Sequence, residues 1–399
     1  MNGNLTKYNF DEIIDRRGTS CLKYDFGMKR KGRDDLLPLW VADMDFRVPD
    51  VILDEFHKRI DHGIFGYTDP DSEYFDAVNC WFSKRHGYTV KPEWVTVGCG
   101  VVYGLATGVK AFSKPGDAIL VQQPVYYPFS EVVEDNGRRL VNSQLLYRDG
   151  KYSVDFEDFE RKIEENSVKV FILCNPHNPV GRVWTRDELV RMADICLEHG
   201  VTIMCDEIHC DFTYPGYKTT SLMTMSDRYG DILCVYTSPS KSFNVAGLQP
   251  ANIIIPDEKL RLAYKKANNA AGYSQGNIFG QIAVKACYTK GEEWFDAVLA
   301  YITENKNFMS AYVRENFPKA RFVEPEGTYL TWVDFSAYGF TKEELEHIMV
   351  DEAHLWLDSG KVFGAATAQF ERFNIACPRS VLKQALDQLK AALDAYVKR

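Results

Sequence analysis

The chain has 399 residues, 45% hydrophobic and 26% charged: an ordinary globular composition, long enough for one large domain or two unequal ones. Its formal net charge of −9 excludes a sequence-independent grip on nucleic-acid phosphates, which needs a basic face. The first twenty residues hold no apolar signal-peptide core and the longest apolar stretches are strand-sized, so a cytoplasmic protein without a membrane span is expected.

The ten cysteines include no C-x-x-C pair, and Cys174, Cys205 and Cys234 each end an apolar run. Buried free thiols in a reducing compartment are therefore expected. From about residue 94 to 256, short apolar runs alternate with segments of helical spacing. The runs are W-V-T-V, A-I-L-V, V-K-V-F-I-L-C, V-T-I-M-C, D-I-L-C-V and A-N-I-I-I. One intervening helix is marked at both ends, by Thr185 with Glu188 three residues on and by Gly200. This alternation predicts a mainly parallel sheet covered on both faces, with chemistry at the carboxyl ends of its strands. Residues 292–317 then predict one long amphipathic helix. Short strands, a helix from Thr341 and a last helix from Ser380 follow, forming a smaller α+β domain that the N-terminal forty residues can join.

Each strand end carries polar groups. After W-V-T-V, the turn Gly98-Cys99-Gly100 opens a helix, and backbone N–H groups at Gly100, Val101 and Val102 could cradle a phosphate. The spacing G-x-G-x-x-x-G fails the dinucleotide fingerprint, and a plain tight turn is an equal reading. Tyr126 and Tyr127, between Pro124 and Pro128, offer an aromatic face to a flat ligand or simply pack on the core. Asn175, His177 and Asn178 supply donors for a phenolate or carboxylate oxygen. Asp206 and Glu207 follow V-T-I-M-C directly and must be paired or solvated. His209 stands nearby, but no further ligand pattern supports a metal. Lys241 follows Ser238-Pro239-Ser240, whose hydroxyls suit a phosphate. A phosphorylated aldehyde cofactor with a pyridine nitrogen and a phenolic oxygen would use all of these groups together. A lysine amine, deprotonated by burial, would bond to its aldehyde.

With these residues the sequence resembles pyridoxal-phosphate enzymes of fold type I, the class I/II aminotransferase superfamily. More narrowly it is similar to the branch of cystathionine β-lyases and cysteine C–S lyases that includes cystalysin and the bacterial MalY and PatB proteins. The match rests on L-W-V-A-D-M-D-F (39–46), F-G-Y-T (65–68), P-V-Y-Y-P-F (124–129), N-P-H-N-P-V-G-R-V-W (175–184), D-E-I-H-C-D-F (206–212), S-P-S-K-S-F-N-V-A-G (238–247), E-G-T-Y-L-T-W (326–332) and F-E-R-F-N-I-A-C-P (370–378). The resemblance implies an α/β fold with a large domain over 48–288, built on a mostly parallel seven-stranded sheet. A smaller discontinuous α+β domain takes 1–47 and 289–399.

The resemblance also implies roles. Lys241 is the Schiff-base lysine and moves protons at the substrate Cα. Asp206 pairs with the pyridine nitrogen of pyridoxal 5'-phosphate, Asn178 reaches its phenolic oxygen with His209 beside it, and Tyr126 stacks on its ring. Gly100, Val101, Val102, Ser238 and Ser240 take the phosphate, joined by Tyr67 from the neighbouring subunit of a homodimer. Arg372 forks the α-carboxylate of an amino-acid substrate, while Trp40, Tyr127 and Asn178 line its pocket. Most aminotransferases place an arginine eight residues beyond the lysine, where this chain has Gln249, a departure that favours a lyase. The expected reaction is β-elimination on a thioether or thiol amino acid, with transamination and a regulatory binding role as rival readings.

Overall fold

Seven strands make the central sheet, the inner ones buried on both faces: β1 (Val95–Cys99), β2 (Ala118–Val121), β3 (Arg139–Asn142), β4 (Val170–Cys174), β5 (Thr202–Asp206), β6 (Leu233–Thr237) and β7 (Pro250–Ile254). They lie in this computed structural model, which describes residues 7–273 and 275–398, so residues 1–6 of the expected small domain fall outside the described residues. The sheet order is β1-β7-β6-β5-β4-β2-β3. All pairings are parallel except those of β7, which runs antiparallel to both β1 and β6. Six strands coincide with the apolar runs. The seventh, β3, sits at the sheet edge and buries only Val141 fully, which is why no apolar run announces it.

Alternate residues of each inner strand serve opposite layers. In β4, Val170, Ile172 and Cys174 enter one apolar cluster, with Val101, Leu105 and Val109 of helix α1 (Val101–Phe112); Phe171 and Leu173 enter the other. Helix α2 (Arg186–Glu198) starts at the expected Thr185–Glu188 capping box. The registers Cys174↔Asp206 and Asp206↔Tyr236 align the carboxyl ends of β4, β5 and β6. The turns after these strands therefore leave the sheet at one edge.

A second sheet is antiparallel: β8 (Arg321–Val323), β9 (Leu330–Asp334), β10 (Asp358–Ser359) and β11 (Phe370–Asn374), in the order β8-β9-β11-β10. Helix α3 (Glu292–Asn316) is the long helix anticipated, and Thr341 caps a short helix with its own capping box. The last helix, α4 (Arg379–Val397), begins one residue before Ser380. Leu37–Pro38 pairs in parallel with Leu355–Trp356, which draws the N-terminal segment to this second sheet. No helix among the described residues is long and apolar enough to cross a membrane.

Candidate active site

Asp206 closes β5 and is buried, with its Oδ1 accepting the Ile208 N–H at 3.0 Å. Burial pushes its carboxyl up to about 7, Glu207 adds to the rise, and the Ile208 N–H and the Lys241 charge oppose it. Lys241 lies in the short helix Pro239–Ser242 that follows β6. Burial, reinforced by the charge of Arg372, pushes its ammonium down to about 8, against the pull of Asp43 and Asp206. Its Nζ donates to the Ala42 carbonyl at 2.7 Å and faces a cavity of about 690 Å³ lined in part by Val41, Asp43, Met44 and Asn244.

The segment 39–46 carries the L-W-V-A-D-M-D-F motif and forms no regular helix or strand, so side chains from elsewhere satisfy its backbone. Arg372 donates to the Trp40 carbonyl at 2.8 Å, and Asn374 to those of Val41 and Asp43, each at 2.6 Å. Tyr329 Oη donates to Ala42 at 2.8 Å, beside Lys241. Asn244, three residues past the lysine, donates to the Met44 and Phe46 carbonyls and accepts the Met44 N–H. Tyr329 and Asn244 stand inside motifs quoted above, yet sequence reasoning gave them no role.

Arg372 and Asn178, both expected to meet a substrate carboxylate, are in contact. Arg372 on β11 is 2% exposed, and its Nη1 donates to Asn178 Oδ1 at 3.0 Å. Its Nη2 also pairs with Asp358, a residue the sequence reading did not single out. Asn178 in turn accepts the Tyr126 N–H on its carbonyl at 3.0 Å, joining the aromatic turn to the clamp. The Tyr126 and Tyr127 rings lie 5.4 Å apart, and Tyr127 meets Phe363 at 6.1 Å. His209 packs edge-on against Tyr329, ring centroids 5.6 Å apart, and burial holds its imidazole well below the usual range. Its Nδ1 has no hydrogen-bond partner among the described residues, and neither has Arg372 Nε.

Gly100 takes φ +96° at the start of α1, a conformation that suits glycine, and a Cβ there would stand 3.9 Å from Gln249. Val101 is buried and Val102 half-exposed. Ser238 is occupied locally: its Oγ accepts the Ser240 N–H at 3.0 Å and donates to the Pro250 carbonyl at 2.5 Å. Ser240 Oγ lies 2.7 Å from it. The ring of Trp40 stacks on Trp356 at 4.4 Å, and its carbonyl accepts from Arg372. Tyr67 is 98% exposed, apart from this constellation within one chain.

Behind the lysine turn, Asp211 accepts from Trp81 Nε1 at 3.0 Å and from Ser242 Oγ, with His86 Nε2 at 2.7 Å and Cys210 beside them. Those donors already occupy the carboxylate. The cluster thus braces the residue that follows Lys241.

A mostly parallel seven-stranded sheet with a lysine, an aspartate, an asparagine and an arginine gathered at one edge defines the class. The chain belongs to the aminotransferase class I and II family, whose model matches residues 34–389. It is 44% identical to the cystathionine β-lyase PatB of Bacillus subtilis over 96% of this chain and 100% of that protein. To protein MalY of Escherichia coli it is 31% identical over 97% and 99%. Among solved structures it superposes on cystalysin from Treponema denticola, which contains pyridoxal 5'-phosphate, with a TM-score of 0.94 and 34% identity over 98% of this chain and 99% of that one. It also superposes on the pyridoxal-phosphate-bound C–S lyase of Staphylococcus hominis, with a TM-score of 0.90 and 36% identity over 97% and 98%.

Proposed function

We propose that this chain is a pyridoxal-5'-phosphate-dependent C–S lyase acting on thioether or thiol amino acids such as cystathionine. The observation that carries the reading is Asp206, a buried carboxylate with a single backbone donor on its Oδ1 at the strand end beside Lys241. Such a group calls for a cationic partner, and a protonated pyridine nitrogen fits it. The unpartnered His209 Nδ1 and Arg372 Nε fit polar atoms of cofactor and substrate. Gly100, Val101, Val102 and Ser240 would hold the phosphate, Asn178 and His209 the phenolic side, and Tyr126 the ring face. Ser238 would support the cradle by fixing Ser240. When bound, the cofactor supplies the electron sink that stabilises negative charge at the substrate Cα.

The chain's own residues do the remainder. Arg372, set by Asn178, binds the α-carboxylate and so fixes which Cα bond faces Lys241. The amine of Lys241, pushed down to about 8, takes up the Cα proton near neutral pH. In the net reaction, water and cystathionine become homocysteine, pyruvate and ammonia. Gln249 beside Gly100 leaves the phosphate without the usual arginine. Tyr67, exposed in one chain, is read as completing the neighbouring site of a homodimer. We also read two domains, 48–288 and 1–47 with 289–399, and a cytoplasmic location.

Purified protein supplied with cofactor and L-cystathionine, but no keto acid, should release pyruvate and homocysteine in equal amounts. Turnover that requires a keto-acid acceptor would instead make it an aminotransferase. Lys241→Ala should abolish both pyruvate release and the visible absorbance of the bound cofactor.

A further inference from the structure

The carboxylate clamp contains a group that the proposed chemistry does not use. Asp358 on β10 pairs directly across the antiparallel ladder with Arg372 on β11, so the two side chains are neighbours on one face of the sheet. Backbone register, and not rotamer choice alone, holds the carboxylate against the guanidinium. Asp358 and the Trp40 carbonyl both engage Arg372 Nη2, while Asn178 takes Nη1 at 3.0 Å. Phe363 lies under the guanidinium with its ring centroid 4.9 Å away. Every planar fork of a guanidinium depends on where Nη2 points, because that nitrogen belongs to both the end-on and the side-on edge.

We propose that Asp358 is a positioning residue for the substrate: it fixes the plane of Arg372 and so presents the unpartnered Nε–H to an incoming α-carboxylate. This rests on the reading that Arg372 receives that carboxylate. Asn178 and the Trp40 carbonyl, neutral acceptors with one on each Nη, leave the guanidinium more freedom to turn than a charged partner would. A second anchor on Nη2 removes the freedom before substrate arrives, so ordering the arginine does not weaken binding. A carboxylate that merely neutralised a buried charge would affect stability and leave the division between KM and kcat untouched.

The test compares Asp358→Ala with Asp358→Asn, which keeps an oxygen acceptor opposite Nη2. In the cofactor-loaded enzyme the alanine variant should raise KM for L-cystathionine about tenfold or more, with kcat within about twofold. The asparagine variant should restore most of the loss. Calorimetric binding of propionate, a carboxylate with no amine to react, should weaken in parallel. If the alanine variant does not fold, Asp358→Ser, too short to reach Arg372, carries the same comparison. An unchanged or lowered KM, a loss confined to kcat, or an asparagine variant as defective as alanine would overturn the proposal. Arg372→Lys is the control. If it leaves KM and propionate binding unchanged, the carboxylate reading of Arg372 is wrong and the proposal falls with it. If the unmodified enzyme releases no pyruvate, the lyase reading fails, and propionate binding still decides the role of Asp358.

Discussion

Lys241 and Tyr329 donate to the same backbone carbonyl, that of Ala42, at 2.7 and 2.8 Å. The lysine comes from the end of the central sheet and the tyrosine from the entrance to β9, so one peptide oxygen of the N-terminal segment ties together two sheets. The tyrosine is buried and its hydroxyl is held well above its usual range, first by burial and then by the Asp43 charge. It serves as a neutral donor that keeps its proton. When Lys241 leaves this carbonyl to do chemistry, Tyr329 keeps the oxygen paired.

Tyr329→Phe should therefore cost about 1 kcal/mol of stability, the usual net worth of one hydrogen bond. Urea unfolding measures that loss. A cost near zero would mean that the Ala42 carbonyl is satisfied by Lys241 alone.

Asp206 gives the cofactor-free protein a pH signature. Its carboxyl is raised to about 7 when folded, whereas an unfolded aspartate titrates near ~3.9. Between those values the folded chain holds a proton that the unfolded chain has released, so stability falls as pH rises from about 4 to about 7. The full effect is at most ~4 kcal/mol, from about three pK units at 1.36 kcal/mol each. Asp206→Asn should flatten this part of the stability–pH curve, read by thermal unfolding of cofactor-free protein at a series of pH values. A slope that survives the substitution must come from other groups.

Trp40 offers two groups that could matter, its ring and its carbonyl. Its ring is 7% exposed and stacked on Trp356, while its carbonyl meets Arg372. Trp40→Ala should cost ~3 kcal/mol or more, as large-to-small changes in packed sites do. Trp40→Phe, which keeps a ring against Trp356, should leave KM little changed. A large KM effect with normal stability would place the ring in the substrate pocket.

For Tyr67 the expectation is the reverse. At 98% exposed, its hydroxyl contributes nothing to packing within one chain, so Tyr67→Phe should move stability by no more than about 0.5 kcal/mol. If it reaches the neighbouring phosphate, cofactor affinity should drop roughly tenfold, the scale of one hydrogen bond to a charged group. Cofactor titration decides, and an unchanged affinity removes Tyr67 from the site.

Much of this protein was legible before any coordinates. The alternation of short apolar runs with segments of helical spacing determined the parallel sheet, because strands buried on both faces read as continuous apolar runs while covering helices keep a 3.6-residue period. The polar residues after each run marked the edge where chemistry is expected, since ligands of such a sheet bind at the carboxyl ends of its strands. Tertiary structure alone decided what touches what. Asp358 carries no local signal; only the register of β10 on β11 reveals it as the partner of Arg372. His86 and Asp211 are 125 residues apart and meet behind the lysine turn. The Trp40 carbonyl accepts from Arg372, and since every residue has such an acceptor, no side-chain pattern announces it. Side-chain chemistry is written residue by residue, but backbone acceptors and cross-strand neighbours exist only once the chain has folded.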